Sequence, residues 1–152
     1  MPHRMIPAAL AAAIALLPAI AAAQDGTREI NGLTGPAAPV GLSVEDRGAL
    51  LLGREYADNP VLSTRALRSR VLILEPGGVV PIHSHTDRPA VTLVLVGEVI
   101  EHRSDTPDPI VRREGDVTFD GDGLSQWWEN QGDEPVVFYV IDFFDTGTTP
   151  DH

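Results

Sequence analysis

Residues 77–97 read GGVVPIHSHTDRPAVTLVLVG and carry the strongest structural signal in the chain. Two runs rich in Val, Ile and Leu flank a short polar turn, and Gly97 ends the second run. Short apolar runs bounded by Gly and Pro are typical of β-strands. Similar runs lie on both sides, at 49–56 (ALLLGREY), 70–75 (RVLILE), 98–103 (EVIEHR) and 135–144 (PVVFYVIDFF). Because no helical period follows residue 23, this spacing predicts an all-β sandwich or barrel.

His83 and His85 are separated by one residue within a predicted strand. Strand side chains alternate between faces, so both imidazoles point to the same side of the sheet, about 6–7 Å apart. Two neutral imidazoles at this spacing are a common beginning of a first-row metal site. Isolated His-x-His pairs are also frequent by chance, so the pair alone leaves a metal site and a plain surface pair open.

A second stretch, Gly115–Asn130, reads GDVTFDGDGLSQWWEN. Together with residues 77–97 it resembles the two motifs of the cupin superfamily, G-x5-H-x-H-x3–4-E-x6-G and G-x5-P-x-G-x2-H-x3-N. Both histidines, the motif glycines and Asn130 fall in register, and the resemblance extends over about residues 68–143. It implies a double-stranded β-helix, a small jelly-roll (cupin) barrel whose mouth holds a metal ion or a small molecule.

Three positions depart from these motifs: Ala90 replaces the Glu, Gly121 the Pro, and Gln126 the His of the second motif. In the family, the two His and the Glu of the first motif and the His of the second motif bind the metal. Only His83 and His85 therefore carry over as strong ligands, and Gln126 offers a neutral amide oxygen. The resemblance implies a divalent ion (Fe, Mn, Ni or Zn) held by these three side chains, more weakly than by the full ligand set.

Further pocket residues follow from strand parity. Asp87 has the parity of the two histidines, and it is either a substitute carboxylate ligand or half of an Asp–Arg pair on a rim turn. Trp128 and Asn130 share the parity of Gln126, so we expect both to line the pocket together with Asp87 and Ala90. The alternative for Trp128 is plain core packing.

Four other polar residues have two interpretations each. For His102 a structural hydrogen bond is favoured over metal ligation, because its facing does not follow from the sequence. Arg65, Arg68 and Arg70 lie two to three residues apart at the start of a strand. One of them could enter the barrel and pair with an anionic ligand, but a solvated edge strand that carries all three is favoured.

Residues 1–23 have the features of a signal peptide. Arg4 supplies the positive start, residues 6–23 are uncharged, and Ala21–Ala23 offer a small-residue cleavage pattern. We expect cleavage before Gln24 and hence a periplasmic or secreted protein. The alternative, an uncleaved membrane anchor, is weakened by the short Ala-rich run and its prolines. We expect residues 24–46 to form an irregular lead-in with at most one short strand, 47–146 the barrel and 147–152 a tail.

The composition excludes several classes of partner. The mature chain would have 129 residues, which is enough for one domain. Its ten arginines stand against 22 acids, so we expect neither nucleic acid nor, after cleavage, a membrane surface as partner. The absence of cysteine excludes disulfides, thiolate metal sites and a thiol nucleophile.

The residues and the resemblance together favour an exported single-domain cupin that acts as a metal-dependent enzyme on a small molecule. The family implies oxygenase, isomerase or lyase chemistry, and no catalytic residue is assigned. The alternative is a non-catalytic cupin that binds a small molecule or a metal through a partly lost site, because Ala90 and Gln126 replace two ligands. A homodimer is expected from the resemblance alone.

Overall fold

The computed structural model describes residues 26–147, so the predicted signal peptide and His152 lie outside the described part. This part contains ten strands and one single-turn helix: β1 (Thr27–Ile30), β2 (Leu33–Pro36), β3 (Val40–Leu51), α1 (Leu52–Glu55), β4 (Arg65–Ser84), β5 (Ala90–Val96), β6 (Glu98–Arg103), β7 (Ile110–Arg113), β8 (Val117–Asp120), β9 (Ser125–Glu129) and β10 (Val136–Asp145). Within residues 26–147, no helix is both long and apolar enough to cross a membrane.

Eight strands form one curled antiparallel sheet, and β1 and β2 form a separate hairpin. The strand order is β7-β6-β9-β4-β10-β5-β8, with β3 beside β4. The first half of β4 pairs with β3 and β10, and its last residues pair with β9. Strand β4 therefore passes from one half of the barrel to the other. This architecture confirms the predicted all-β, double-stranded β-helix fold.

Side-chain alternation builds the interior of the barrel. In β10, Val136, Phe138 and Val140 are buried, whereas the residues between them are only half-buried. Period two places such residues on one face of a strand. The buried apolar cluster consists of Leu72, Leu74, Val80, Val94, Val99, Trp128, Val136, Phe138 and Val140. Trp128 meets Phe138 edge to face, with 5.4 Å between ring centroids, which is a favoured aromatic arrangement.

The motif glycine Gly97 makes the tight connection between β5 and β6. Its φ is +89°, a backbone conformation that residues with a side chain rarely adopt. A Cβ at this position would also lie 3.2 Å from the carbonyl oxygen of Pro135. Glycine is thus required here for both backbone conformation and space.

The lead-in predicted to be irregular contains β1, β2 and the first part of β3, so that prediction differs from the structure. Asn31 and Gly32 have φ of 51° and 78°, and an Asn-Gly pair with two positive φ values is typical of a two-residue hairpin. Strand β3 is mostly exposed, and β1 and β2 are only four residues long with one buried residue between them, so these strands lack the apolar alternation by which strands are recognised. The Asn31-Gly32 pair was the sequence signal that could have identified the hairpin.

The β1–β2 hairpin packs against the strands that carry the site. Asn31 Nδ2 donates to Ser125 Oγ at 2.8 Å, at the start of β9. The guanidinium of Arg28 donates to the carbonyl oxygen of Ile82 in β4. These contacts connect the hairpin to the two strands that hold Gln126 and the histidine pair.

Candidate functional site

A cavity of about 400 Å³ lies in the mouth of the barrel. Its walls are apolar and come from β3, β4, β9 and β10: Leu42, Val44, Leu72, Val80, Trp128, Phe138 and Val140. Its polar lining includes two imidazoles, one amide and three guanidinium groups: His83, His85, Gln126, Arg68, Arg70 and Arg88. A mostly apolar cavity with a few convergent polar groups is typical of a small-molecule site.

The two histidines are held in a defined tautomer by backbone carbonyl groups. Their ring centroids are 5.0 Å apart. His83 Nδ1 lies 2.9 Å from the carbonyl oxygen of Pro81, and His85 Nδ1 lies 3.0 Å from that of Arg88. Because a carbonyl oxygen can only accept, each Nδ1 carries the hydrogen and donates it. Nε2 of each ring is therefore left as an acceptor.

Both imidazoles are neutral at physiological pH. Removal from water lowers the pKa of His83 to about 3, with further lowering by His85 and by the guanidinium groups of Arg88 and Arg70. Burial also lowers the pKa of His85, against the opposing charge of Asp120. Protonation of either ring would bring a charge into a site already lined by cations.

Gln126 presents its amide hydrogens to His85 rather than its oxygen. Nε2 donates to His85 Nε2 at 3.1 Å and to Asp120 Oδ2 at 3.2 Å. Asp120 is buried and is itself held by Arg103, whose Nη1 lies 3.1 Å from Oδ1. The two acceptors fix the orientation of the amide, because the opposite orientation would bring its oxygen against the carboxylate. Oε1 of Gln126 is buried without a hydrogen-bond partner among the described residues.

Three guanidinium groups share one buried carboxylate at the side of the cavity. Asp142 Oδ2 lies 2.8 Å from Arg68 Nη2, 3.2 Å from Arg70 Nη2 and 2.9 Å from Arg88 Nε. Arg68 and Arg70 belong to β4, Asp142 to β10, and Arg88 to the turn before β5. Long-range strand pairing therefore assembles the cluster, since Asp142 is Cα partner of Arg68 and Ala90.

The charges in this cluster are mutually stabilised. Burial acts to raise the pKa of Asp142, but the hydrogen bond from Arg68 and the charges of Arg70 and Arg88 outweigh it and hold the pKa below its usual range. The hydrogen bond to Asp142 raises the pKa of Arg68. Burial lowers the pKa of Arg70 to about 10, so this group also stays protonated at neutral pH.

The structure brings together five of the seven residues predicted for the site. His83, His85, Ala90, Gln126 and Trp128 line the same cavity. Period-two alternation keeps His83 with His85 and Gln126 with Trp128, and a register shift between Val80 and His83 changes which parity faces inward within β4. Whether any of them binds a metal or a substrate stays a prediction.

Asp87 and Asn130 are not among the residues that line the cavity, which differs from the prediction. Asp87 is exposed in the turn after β4 with a φ of +56°, so the strand parity on which its placement relied ends before this residue. Asn130 is buried, but its Nδ2 donates to the carbonyl oxygens of Leu74 and Glu134. It therefore ties the end of β9 to β4 and to the following loop.

His102 belongs to β6 and packs against Trp127, on the face of β9 that points away from the cavity. It stacks on Trp127 with 3.7 Å between centroids and an interplanar angle of 3°, and its Nε2 lies 2.9 Å from Glu129 Oε1. This arrangement is a structural hydrogen bond of the kind favoured from the sequence. Of the three arginines at the start of β4, Arg65 donates to the carbonyl oxygen of Asp87, whereas Arg68 and Arg70 line the cavity. The favoured solvated edge strand is therefore wrong for Arg68 and Arg70, because β4 pairs with β3 on one side and β10 on the other.

Sequence reasoning missed Asp142, Asp120 and Arg88. A signal for Asp142 was present, because it is a single carboxylate in the apolar strand PVVFYVIDFF and has the parity of buried Val140. A charged residue at a core position requires a partner of opposite charge, and Arg68 and Arg70 in another strand could have been considered as partners. Asp120 and Arg88 lie in or beside turns, where the pattern carries no such signal.

The metal ion implied by the cupin resemblance does not fit the donors present. Among residues 26–147, no group of three His, Cys, Asp or Glu side chains is arranged to hold a metal ion. Position 90 is Ala, and the amide hydrogens of Gln126 already occupy the lone pair of His85 Nε2. The charges of Arg70 and Arg88 also act on His83, and they would oppose a metal cation beside that ring.

The fold is a single antiparallel barrel with one cavity described in its mouth, lined by apolar side chains and a few polar groups. Residues 55–150 match the family described as Cupin. This chain belongs to the cupin family.

Solved structures with similar folds include several cupins. A Thermotoga maritima protein described as a predicted oxalate decarboxylase has a TM-score of 0.50 and 22% identity, over 68% of this chain and 93% of that chain. KdgF from Halomonas sp. has a TM-score of 0.51 and 11% identity, over 67% of this chain and 78% of that chain. The Cnp3 cupin domain of Schizosaccharomyces pombe has a TM-score of 0.48 and 18% identity, over 53% of this chain and 54% of that chain. At these identities the likeness shows the fold alone.

The comparison with curated proteins gave no match.

Proposed function

We propose that this protein is an exported cupin that binds a small organic molecule in the mouth of its barrel without a resident metal ion. The cavity of about 400 Å³ carries the proposal. It falls within the range of about 300–1,000 Å³ that is typical of small-molecule sites. Its apolar walls would bury the body of a ligand, and its few polar groups would orient it.

The chemistry of the histidine pair supports binding rather than turnover. A general base works best with a pKa near the operating pH, whereas the pKa of His83 is lowered to about 3. The lone pair of His85 Nε2 is already engaged by Gln126. Neither imidazole is therefore placed to accept a proton at neutral pH, although His83 Nε2 can still accept a hydrogen bond from a ligand.

Metal content is the first measurement. The mature chain, expressed from Gln24 in a metal-replete host and purified without chelator, is expected to contain far less than one Fe, Mn, Ni or Zn per chain. Elemental analysis measures this directly. One equivalent of a redox metal that is lost in the His83→Ala/His85→Ala double variant would overturn the proposal. It would support the alternative, a metal-dependent enzyme of oxygenase, isomerase or lyase type.

Ligand binding is tested with the cavity blocked and unblocked. Ala90 is buried and lines the cavity, whereas the next residue in β5, Val91, points to the opposite face. A panel of small organic acids, amides, alcohols and sugars is screened by thermal shift in the presence of EDTA. Compounds that stabilise the wild type are expected to lose their effect in Ala90→Phe and to keep it in Val91→Phe. Equal shifts in both variants would place binding outside the cavity.

Export is part of the same proposal and is supported by the uncharged run at 6–23 and the Ala21–Ala23 pattern. The intact mass of the exported protein is expected to correspond to a chain that begins at Gln24. A full-length species retained in the membrane fraction would contradict export and leave the binding proposal unaffected.

A further inference from the structure

We propose that the ligand of this cavity is an organic carboxylate whose anionic group binds to a cationic wall formed by Arg68, Arg70 and Arg88. This inference rests on the proposed function and adds the chemical class of the ligand. All three guanidinium groups line the cavity, and their side chains are 14%, 12% and 16% exposed. Each is thus accessible from the cavity and largely shielded from bulk water.

Arg70 in the cationic wall has more donors than its partner Asp142 satisfies. Each guanidinium carries five N–H donors, whereas a carboxylate has two oxygens. Asp142 Oδ2 already accepts from all three arginines. Arg70 has one side-chain hydrogen bond to the described residues, from Nη2, and its Nε is buried without a partner. A second carboxylate from a ligand would supply the acceptors that are lacking.

The charge balance points in the same direction. Asp142 lies beneath the wall, and Asp46 is the acidic residue among those that line the cavity. Three cations therefore face two carboxylates, and the neutral histidines add no charge. This local positive charge stands out in a chain whose net charge is −11. Guanidinium groups bind carboxylates in a planar, two-point geometry, which makes a carboxylate a better fit than a diffuse anion.

The remaining lining favours an organic rather than an inorganic anion. Leu72, Trp128 and Phe138 provide apolar surface on which an aliphatic or aromatic body can pack. His83 Nε2 is an acceptor in the same cavity, so it would receive a hydrogen bond from a hydroxyl group of the ligand. A small hydroxylated carboxylic acid combines these three features.

Matched acid and amide probes separate the charge from the body of the ligand. Benzoate, phenylacetate and 4-hydroxyphenylacetate are titrated into the mature protein by calorimetry in EDTA, next to benzamide, phenylacetamide and 4-hydroxyphenylacetamide. We expect each acid to bind at least about tenfold more tightly than its amide, since the amide has the same shape but no charge. We expect 4-hydroxyphenylacetate to bind more tightly than phenylacetate because of its hydroxyl group.

Variants assign the charge effect to the wall. Arg70→Gln removes one of three cations and leaves Arg68 and Arg88 to neutralise Asp142. It is expected to weaken acid binding by at least about tenfold and amide binding by much less, because the amide carries no charge. Arg113→Gln is the matched control, because Arg113 is exposed and pairs with Glu98 at the surface. Arg70→Lys, which keeps the charge and loses the planar fork, is expected to give an intermediate affinity and serves if Arg70→Gln does not fold.

The outcomes distinguish this inference from the function on which it rests. Equal affinities for acid and amide, or acid binding that Arg70→Gln and Arg70→Lys leave unchanged, would overturn the carboxylate assignment and leave the small-molecule site standing. Absence of binding by every acid and amide at millimolar concentration would overturn both.

Discussion

Replacement of Asp142 by Asn is expected to destabilise the barrel strongly. The Asp142 side chain is 0% exposed and accepts hydrogen bonds from Arg68, Arg70 and Arg88. Asn has nearly the same size but no charge, and its amide would bring N–H groups toward three guanidinium groups. The variant would therefore leave three neighbouring cations without their shared counter-ion.

The magnitude follows from the burial of the partners. Removing one partner of a buried ion pair costs about 3–5 kcal/mol. The arginine side chains are 12%, 14% and 16% exposed, so water can reach them and relieve part of the cost. We expect a loss of about 3–4 kcal/mol in the free energy of unfolding. For a domain of this size this corresponds to a decrease in Tm of about 10–20 °C.

Urea unfolding and thermal melting of the mature chain measure this effect. Asp108→Asn is the matched control, because Asp108 is exposed in the loop between β6 and β7. The control is expected to melt within about 1 °C of the wild type, as surface substitutions generally do. If Asp142→Asn melts within about 2 °C of the wild type, the claim that this carboxylate neutralises the arginines is refuted.

Three further predictions concern other parts of the molecule. Gln126→His brings a third imidazole beside His85, so zinc affinity should rise at least about tenfold in a calorimetric titration at neutral pH; equal affinities would show that a third imidazole at this position does not complete a metal site. The pKa of His83 is about 3 in the folded chain and about 6.5 in the unfolded chain, so the unfolded state binds more protons and stability should fall by about 2–3 kcal/mol between pH 7 and 4.5. Urea midpoints at the two pH values measure this loss, and His83→Gln should flatten it. Gly35→Ala would place a Cβ 2.5 Å from Trp127 Cδ1 and should lower stability by about 1–3 kcal/mol in thermal melts, whereas Gly121→Ala, with no atom within 4 Å, should not.

Local sequence patterns were sufficient to predict the barrel and one end of its cavity. The two glycine-containing motifs and the period-two runs depend on residues close in sequence, and they place His83, His85, Gln126 and Trp128 on inward faces. Such patterns predict structure well because strand alternation and tight turns are local properties of the backbone. The same reasoning placed Asp87 in the site, and it failed there because the strand ends before that residue.

The positions of the three arginines in the cationic wall could not be predicted in this way, because they depend on strand register. Asp142 is 74 residues from Arg68 and 54 from Arg88 along the chain. The sequence favoured a solvated edge strand for Arg68 and Arg70, since parity alone does not show which face of a strand is inward. Pairing of β4 with β10 and of β10 with β5 decides it.

Ala90, which replaces the Glu of the cupin motif, lies in the same cavity as the cationic wall. Ala90 is the Cα partner of Asp142 in the pairing of β5 with β10, and it lines the same cavity as the three arginines. A Glu at position 90, as the cupin motif has it, would add a carboxylate next to this cluster and offset its positive charge. A divalent cation at His83 would in turn be repelled by Arg70 and Arg88, whose charges already act on that ring. The charges of these arginines therefore oppose a cation in this cavity, and Ala90 leaves that positive charge without the carboxylate of the motif.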